Sequence, residues 1–179
     1  MAIIQKLPEA YGVELIIEQI QDCVGAISWV AKSMGEAQPT DIAGNIAPYV
    51  WDGATYSLVE PSDIDTAISF IDTRIPRVKA KERSSQWHQY IRLVFALNLD
   101  LINTAEGTTH GWVYTEKLIK DVSTALSDAN FDFILEQGGT IQNRISSFAE
   151  YYSHWTFDGR FNDKKYDAFM ITFTVVYEC

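Results

Sequence analysis

From Trp87 to Ile102 the chain alternates without interruption. Trp87, Gln89, Ile91, Leu93, Phe95, Leu97, Leu99 and Leu101 form one set of positions, and His88, Tyr90, Arg92, Val94, Ala96, Asn98, Asp100 and Ile102 form the other. A period of two is the period of a strand, and so long a run commits the chain to a sheet. The first set reads as core and the second is mixed. That pattern suits an antiparallel or mixed sheet better than a parallel one covered on both faces. The C-terminus repeats the signature, with Phe169, Ile171, Phe173, Val175 and Tyr177 alternating with Met170, Thr172, Thr174 and Val176 in a run rich in aromatic and β-branched residues.

Helical spacing is clearest at the start. Val13, Ile16, Ile17, Ile20, Val24, Ile27 and Ala31 fall on one stripe, and Met34-Gly35-Glu36-Ala37-Gln38-Pro39 supplies the expected stop. Tyr49-Val50-Trp51 and Thr55 to Val59 flank Asp52-Gly53-Ala54, which reads as a hairpin. Ser62 and Asp65 after Pro61 resemble a helix start, continued by Ile64, Ala67, Ile68 and Ile71. Thr115 to Asp128 is again helical through Leu118, Ile119, Val122, Ala125 and Leu126, with Glu116 four residues before Lys120. Between them and the C-terminal strand the signals conflict: Phe131 to Leu135 suggests a strand, and Ile141, Ile145 and Phe148 permit a helical turn. The expected fold is α+β, an antiparallel or mixed β-sheet flanked by helices, in one domain spanning residues 1–179.

Charge is distributed unevenly. The whole chain carries a formal net charge of -10, which disfavours general binding to a phosphate backbone. Residues 1–73 hold two basic and eleven acidic residues, a net of -9, whereas residues 74–92 hold six basic and one acidic, a net of +5. Residues 93–179 return to -6. The basic block comprises Arg74, Arg77, Lys79, Lys81 and Arg83, with Arg92 beyond it. One reading is a solvated loop before a strand. The other is a subunit interface that meets an acidic patch on an identical neighbour, since segregated charge suits head-to-tail association.

Signatures of chemistry are missing. His88, His110 and His154 form no H-x-H or H-E-x-x-H pair, and there is no nucleophile elbow and no phosphate loop; Gly138-Gly139 reads only as a turn. Cys23 and Cys179 match no metal or redox spacing and are expected to stay reduced. Glu60 and Asp63 could in principle act as an acid/base pair, though acids beside Ser and Pro at a helix start usually cap. No catalytic residue, metal or cofactor is expected. The N-terminus has no signal-peptide pattern, and Val13 to Ala31 is broken by Glu14, Glu18 and Asp22, so no membrane helix is expected. Tyr151 to Phe157 is rich in rings and could serve as a recognition surface or as packing.

The order of these features resembles the tail-terminator and neck-ring (head-tail connector) proteins of tailed bacteriophages, in particular crAss-like phages and others infecting gut Bacteroidetes. The resemblance covers most of the chain. It runs from the opening helix through Ile46 to Trp51, Tyr56 to Pro61 and Ser69 to Ile71. It continues through the long strand Tyr90 to Leu101, then Thr115 to Val122, Phe148 to Tyr151 and the closing Tyr166 to Tyr177. The resemblance implies a tail-terminator-like domain and a virion structural protein, made in the host cytoplasm and assembled as a ring of six or twelve copies in the neck or at the head-proximal end of the tail. Its partners would be itself and neighbouring portal, neck or tail proteins, with genomic DNA passing through unbound and no membrane involved. The rival expectation is a small intracellular enzyme or ligand-binding domain whose pocket is lined by Trp87, Trp112 and Trp155.

Overall fold

The computed structural model describes residues 2–7, 10–42, 45–51, 53–73, 78–79, 85–106, 111–143 and 165–178. Its elements are β1 (Ile3–Ile4), α1 (Val13–Gly25), β2 (Lys32–Ile42), β3 (Asn45–Trp51), β4 (Tyr56–Leu58), β5 (Ala67–Asp72), β6 (Val78–Lys79), β7 (Gln86–Asn98), α2 (Leu99–Glu106), α3 (Gly111–Asp128), β8 (Ile134–Asn143) and β9 (Tyr166–Glu178). The nine strands form a mixed sheet in the order β4-β3-β2-β5-β7-β9-β8, with β1 added on β2 and β6 on β7. Among the described strands only the β1–β2 and β2–β5 pairs are parallel. The chain is α+β, as its long alternating runs predict.

Those two runs are the centre of the sheet. β7 and β9 pair antiparallel along their whole lengths, from Gln86 opposite Glu178 to Asn98 opposite Tyr166. Residues that alternate on each strand therefore stack into common rows across the ladder. Phe95 faces Phe169 in this register, and their rings stack with centroids 4.6 Å apart, with Trp29 tilted against Phe95 at 5.7 Å. On this face α1 and α3 cover the sheet, and Ile16, Ile17, Ile20 and Val24 join Leu118, Val122, Leu93, Ile171 and Phe173 in the main core. Two contacts lock the helical layer. The Cys23 thiol donates to the Ala125 carbonyl at 3.3 Å, and the Thr115 hydroxyl donates to buried Asp167 at 2.8 Å. The opposite face has a smaller core made by Met34, Ala37, Val50, Val59, Ile68, Phe70, Val94, Tyr166, Ala168 and Met170.

Five expectations are corrected. The first helix ends at Gly25, so Ile27 lies in a turn and Ala31 donates to the Ala67 carbonyl as the chain enters β2. Residues 34–39 are strand rather than stop. Proline is tolerated there because Pro39 faces Pro48, so two residues without an amide hydrogen share one register position. The region from Ala67 is β5 and not a helix. Ser62 does make the cap-like turn, accepting from the amides of Ile64 and Asp65, but the chain then runs extended between β2 and β7. Every residue of β5 is buried, so the alternation that marks a half-exposed strand is absent and spacing alone imitates a helix. The long strand stops at Asn98, whose side-chain oxygen accepts from the Leu101 amide and opens α2. Finally, Gly138-Gly139 is no turn but lies inside β8, where the register shifts between Gln137 and Gly139. In the conflicting stretch the strand begins only at Ile134 and runs to Asn143, with Phe131 to Phe133 preceding it as a bend; Ile145 and Phe148 lie outside the described residues.

The hairpin from Tyr49 to Val59 is found as expected. Tyr49 pairs with Leu58 and Trp51 with Tyr56, and Gly53 takes φ 94° in the turn, a conformation that favours glycine.

Candidate functional site

α1 and the β2–β3–β4 corner of the sheet enclose a cleft of about 190 Å³, closed at one end by the segment following β1. Three carboxylates line it: Glu14 and Glu18, one turn apart on α1, and Glu36 on β2. Their spacing of four residues puts the two helical acids on one side of α1. Three rings, Tyr49, Trp51 and Tyr56, and three amides, Gln5, Gln21 and Gln38, complete the polar lining, and among the described residues no lysine or arginine contributes. Trp51 and Tyr56 are cross-strand partners with centroids 4.7 Å apart, and they stay 41% and 51% exposed.

The wall is built firmly. Gln21 is buried and donates to the Gln5 and Ser33 carbonyls, tying α1 to both the N-terminal segment and β2. Gln5 donates in turn to the Ser57 hydroxyl on β4. Glu14 accepts from the Tyr11 amide at 3.0 Å, which fixes it in the first turn of its helix. Glu36 accepts a short hydrogen bond from Thr73. Burial pushes the Glu36 carboxyl above the usual range, against the Thr73 hydrogen bond, and the nearby charges of Asp72 and Glu14 push it further the same way. Among the described residues no cation forms an ion pair with Glu14, Glu18 or Glu36; Lys6, beside the cleft in sequence, is engaged by Asp22 at 2.7 Å. No group of three His, Cys, Asp or Glu side chains among the described residues is arranged to hold a metal ion.

The residues singled out by sequence are distributed differently. Arg74, Arg77, Lys81 and Arg83 lie outside the described residues, and of Lys79 only the backbone is placed, opposite Trp87 where β6 pairs with β7. Arg92 does not extend the basic block, because its guanidinium is 3.4 Å from the buried Asp72 carboxylate. Asp63, read beside Glu60 in the sequence, accepts from Lys165 at 2.9 Å and from the Tyr166 hydroxyl, anchoring the start of β9. His88 is half-buried in β7, while His110, His154, Cys179 and the ring-rich stretch 151–157 lie outside the described residues. Of the three tryptophans expected to line a pocket, only Trp87 has its side chain described. Trp87 packs against the main core, and neither the Trp112 side chain nor Trp155 is among the described parts. Sequence reasoning missed the cleft. Its signal was present as Glu14 and Glu18 on a helical face together with ring-bearing hairpin positions, but nothing in the sequence says that the hairpin lies beside that helix.

Compared with protein-family models and with curated proteins, the chain matches none. Among the described residues no helix is long and apolar enough to cross a membrane.

Proposed function

We propose that the chain is a structural protein of a tailed-phage virion that assembles into a closed ring in the neck or at the head-proximal end of the tail, joining portal to tail around the genome channel. The sequence resemblance to tail-terminator and neck-ring proteins suggests it. The observation that carries it furthest is the strand order of the described elements, which ends in β4 on one side and β8 on the other. A strand with a free edge can be extended by a strand from the next subunit, and a head-to-tail contact repeated by rotation closes into a ring. The acidic balance suits a channel protein, since like charge keeps passing DNA from adhering. In this reading the protein needs no cofactor and performs no chemistry of its own.

Light scattering on the purified protein across a concentration series, with negative-stain images of the same samples, tests the reading. Closed rings of one copy number are expected. A protein that remains monomeric at every concentration overturns it, as does a turnover signal that vanishes on replacing a single carboxylate. The alternative, a small ligand-binding domain, draws on the aromatic cleft beside Trp51 and Tyr56. It requires a monomer whose thermal midpoint rises with a small molecule.

A further inference from the structure

We infer that the exposed rings of the β3–β4 hairpin, Trp51 and Tyr56, dock into an apolar groove on the far side of α1 in a second copy of the chain. The inference rests on the ring reading and names the contact that joins one subunit to the next.

The groove lies where the N-terminal half of α1 meets the end of β9. Its volume is about 740 Å³, and its apolar lining comes from Leu15 and Ile16 of α1, Phe131 and Phe133 in the bend before β8, Ile134 at the start of β8 and Val176 of β9. Specific contacts hold its walls in place. Phe131 and Phe133 stack with centroids 4.7 Å apart and pack against the main core. Gln19 donates to the Asp132 carboxylate and accepts from the Asp132 amide, both at 3.3 Å, which ties the bend to the helix. At the mouth Leu15 is 49% exposed and Ile134 60%, and apolar surface of that kind is stabilised when a partner removes it from water.

The hairpin supplies a matching surface. Trp51 and Tyr56 are a cross-strand pair with their rings in contact, and both remain largely in solvent. At their fractional exposures the two rings leave roughly 200 Å² in water. That is about a quarter of the roughly 800 Å² each partner contributes to a standard interface, a share that suits the few aromatic anchors at an interface centre. The groove has room for both, since its volume falls in the range of roughly 300–1,000 Å³ that encloses whole drug-sized molecules.

The donor is a second copy because one subunit holds the rings and the groove apart. Glu14, Ile17, Glu18 and Gln21 of α1 line the cleft beside the hairpin, whereas Leu15, Ile16 and Gln19 line the groove, so the helix stands between them. Beneath the helix, β3 and β9 are four strand spacings apart in the sheet, roughly 19 Å at about 4.8 Å each. With rings and groove on opposite flanks of α1, a subunit whose groove is filled still offers its own rings to the next copy, and repetition by rotation closes a ring.

Variants that break one half of the contact test this. Trp51→Ala with Tyr56→Ala removes the rings, and Leu15→Asp with Ile134→Asp spoils the groove, all at exposed positions. Each is expected to raise the protein concentration needed for half-assembly by about tenfold or more while the thermal midpoint holds. Mixed in equal amounts the two variants should give dimers and no rings, because a subunit without rings still accepts the rings of the other and the pair extends no further. The photo-crosslinker p-benzoylphenylalanine in place of Tyr56, in otherwise wild-type protein, should join neighbouring subunits at residues 131–134 or at Leu15, a readout independent of how the other variants fold. Wild-type rings whose crosslinks fall elsewhere, or whose variants assemble normally, overturn this inference and leave the ring reading standing. Wild-type protein that stays monomeric overturns the ring reading and this inference with it. A monomer whose midpoint rises with indole only while Leu15 and Ile134 are intact overturns it as well and assigns the groove to a small aromatic ligand.

Discussion

Arg92 reaches Asp72 directly across the β5–β7 ladder, its Nη1 3.4 Å from a carboxylate that is only 1% exposed, while its own side chain is 20% exposed. The pair places a cation against a buried anion at the last residue of β5, midway along β7. It also removes Arg92 from the pool of charges available to a partner.

Removing the cation should therefore cost stability rather than assembly. Arg92→Leu is expected to destabilise the fold by about 2–4 kcal/mol, most of it the penalty of leaving Asp72 buried without its cation. Arg92→Leu combined with Asp72→Asn should recover much of that loss. Urea unfolding of the two variants checks it, and a single-variant loss below about 0.5 kcal/mol, the range of ordinary surface changes, would contradict the pairing.

The stacked rings of Phe95 and Phe169 make the centre of the main core. Phe95→Ala should cost about 3–5 kcal/mol because neighbours on both strands and Trp29 cannot collapse into the space. Ile64→Ala, at a position 86% exposed, should stay within about 0.5 kcal/mol. Equal losses at the two sites in denaturant titrations would refute this account of the core.

Glu36 gives stability a specific dependence on pH. Its folded-state carboxyl is raised, first by burial and then by Asp72 and Glu14, so the folded protein holds this proton at pH values where the unfolded chain has released it. The favourable contribution is complete below the ordinary glutamate range and is lost as pH rises through the raised value. Glu36→Gln, which keeps an oxygen for Thr73, should match the wild type in acid and become the more stable of the two toward neutral pH. Comparing urea midpoints of both proteins across that range isolates the group from the other acids, and a gap that shrinks with rising pH would show the sign to be wrong.

Cys23 is half-buried between α1 and α3, its thiol donating to Ala125 and raised by burial. A thiol held in its neutral form is a poor nucleophile. Labelling of Cys23 by a thiol reagent at neutral pH should be slow in the native protein and fast in urea, and a freshly purified sample should show no mass loss of about two daltons from a disulfide. Rapid native labelling at Cys23 would indicate that the α1–α3 contact opens.

The sequence by itself determined the elements that carry a periodic signal: α1 from its apolar stripe, α3, the β3–β4 hairpin around Gly53, and the two long strands whose alternation already implies an α+β sheet. It also determined the charge partition, which requires no structure to count. The tertiary structure decided whatever depends on which elements become neighbours. β5 is a strand because β2 and β7 flank it, and full burial erases the alternation by which a strand is recognised. β2 runs through Gly35 and Pro39 because β3 and its own Pro48 lie opposite. α2 begins at Asn98 because that side chain turns back onto the Leu101 amide, a cap that continued alternation in the sequence conceals. The cleft belongs to the second group: Glu14, Glu18, Glu36, Trp51 and Tyr56 are scattered along the chain, and only packing of α1 beside the β2–β3–β4 corner brings the three acids and two rings together. Local periodicity reports how a segment is buried, whereas a site is made by contacts between segments, and those are set by the fold as a whole.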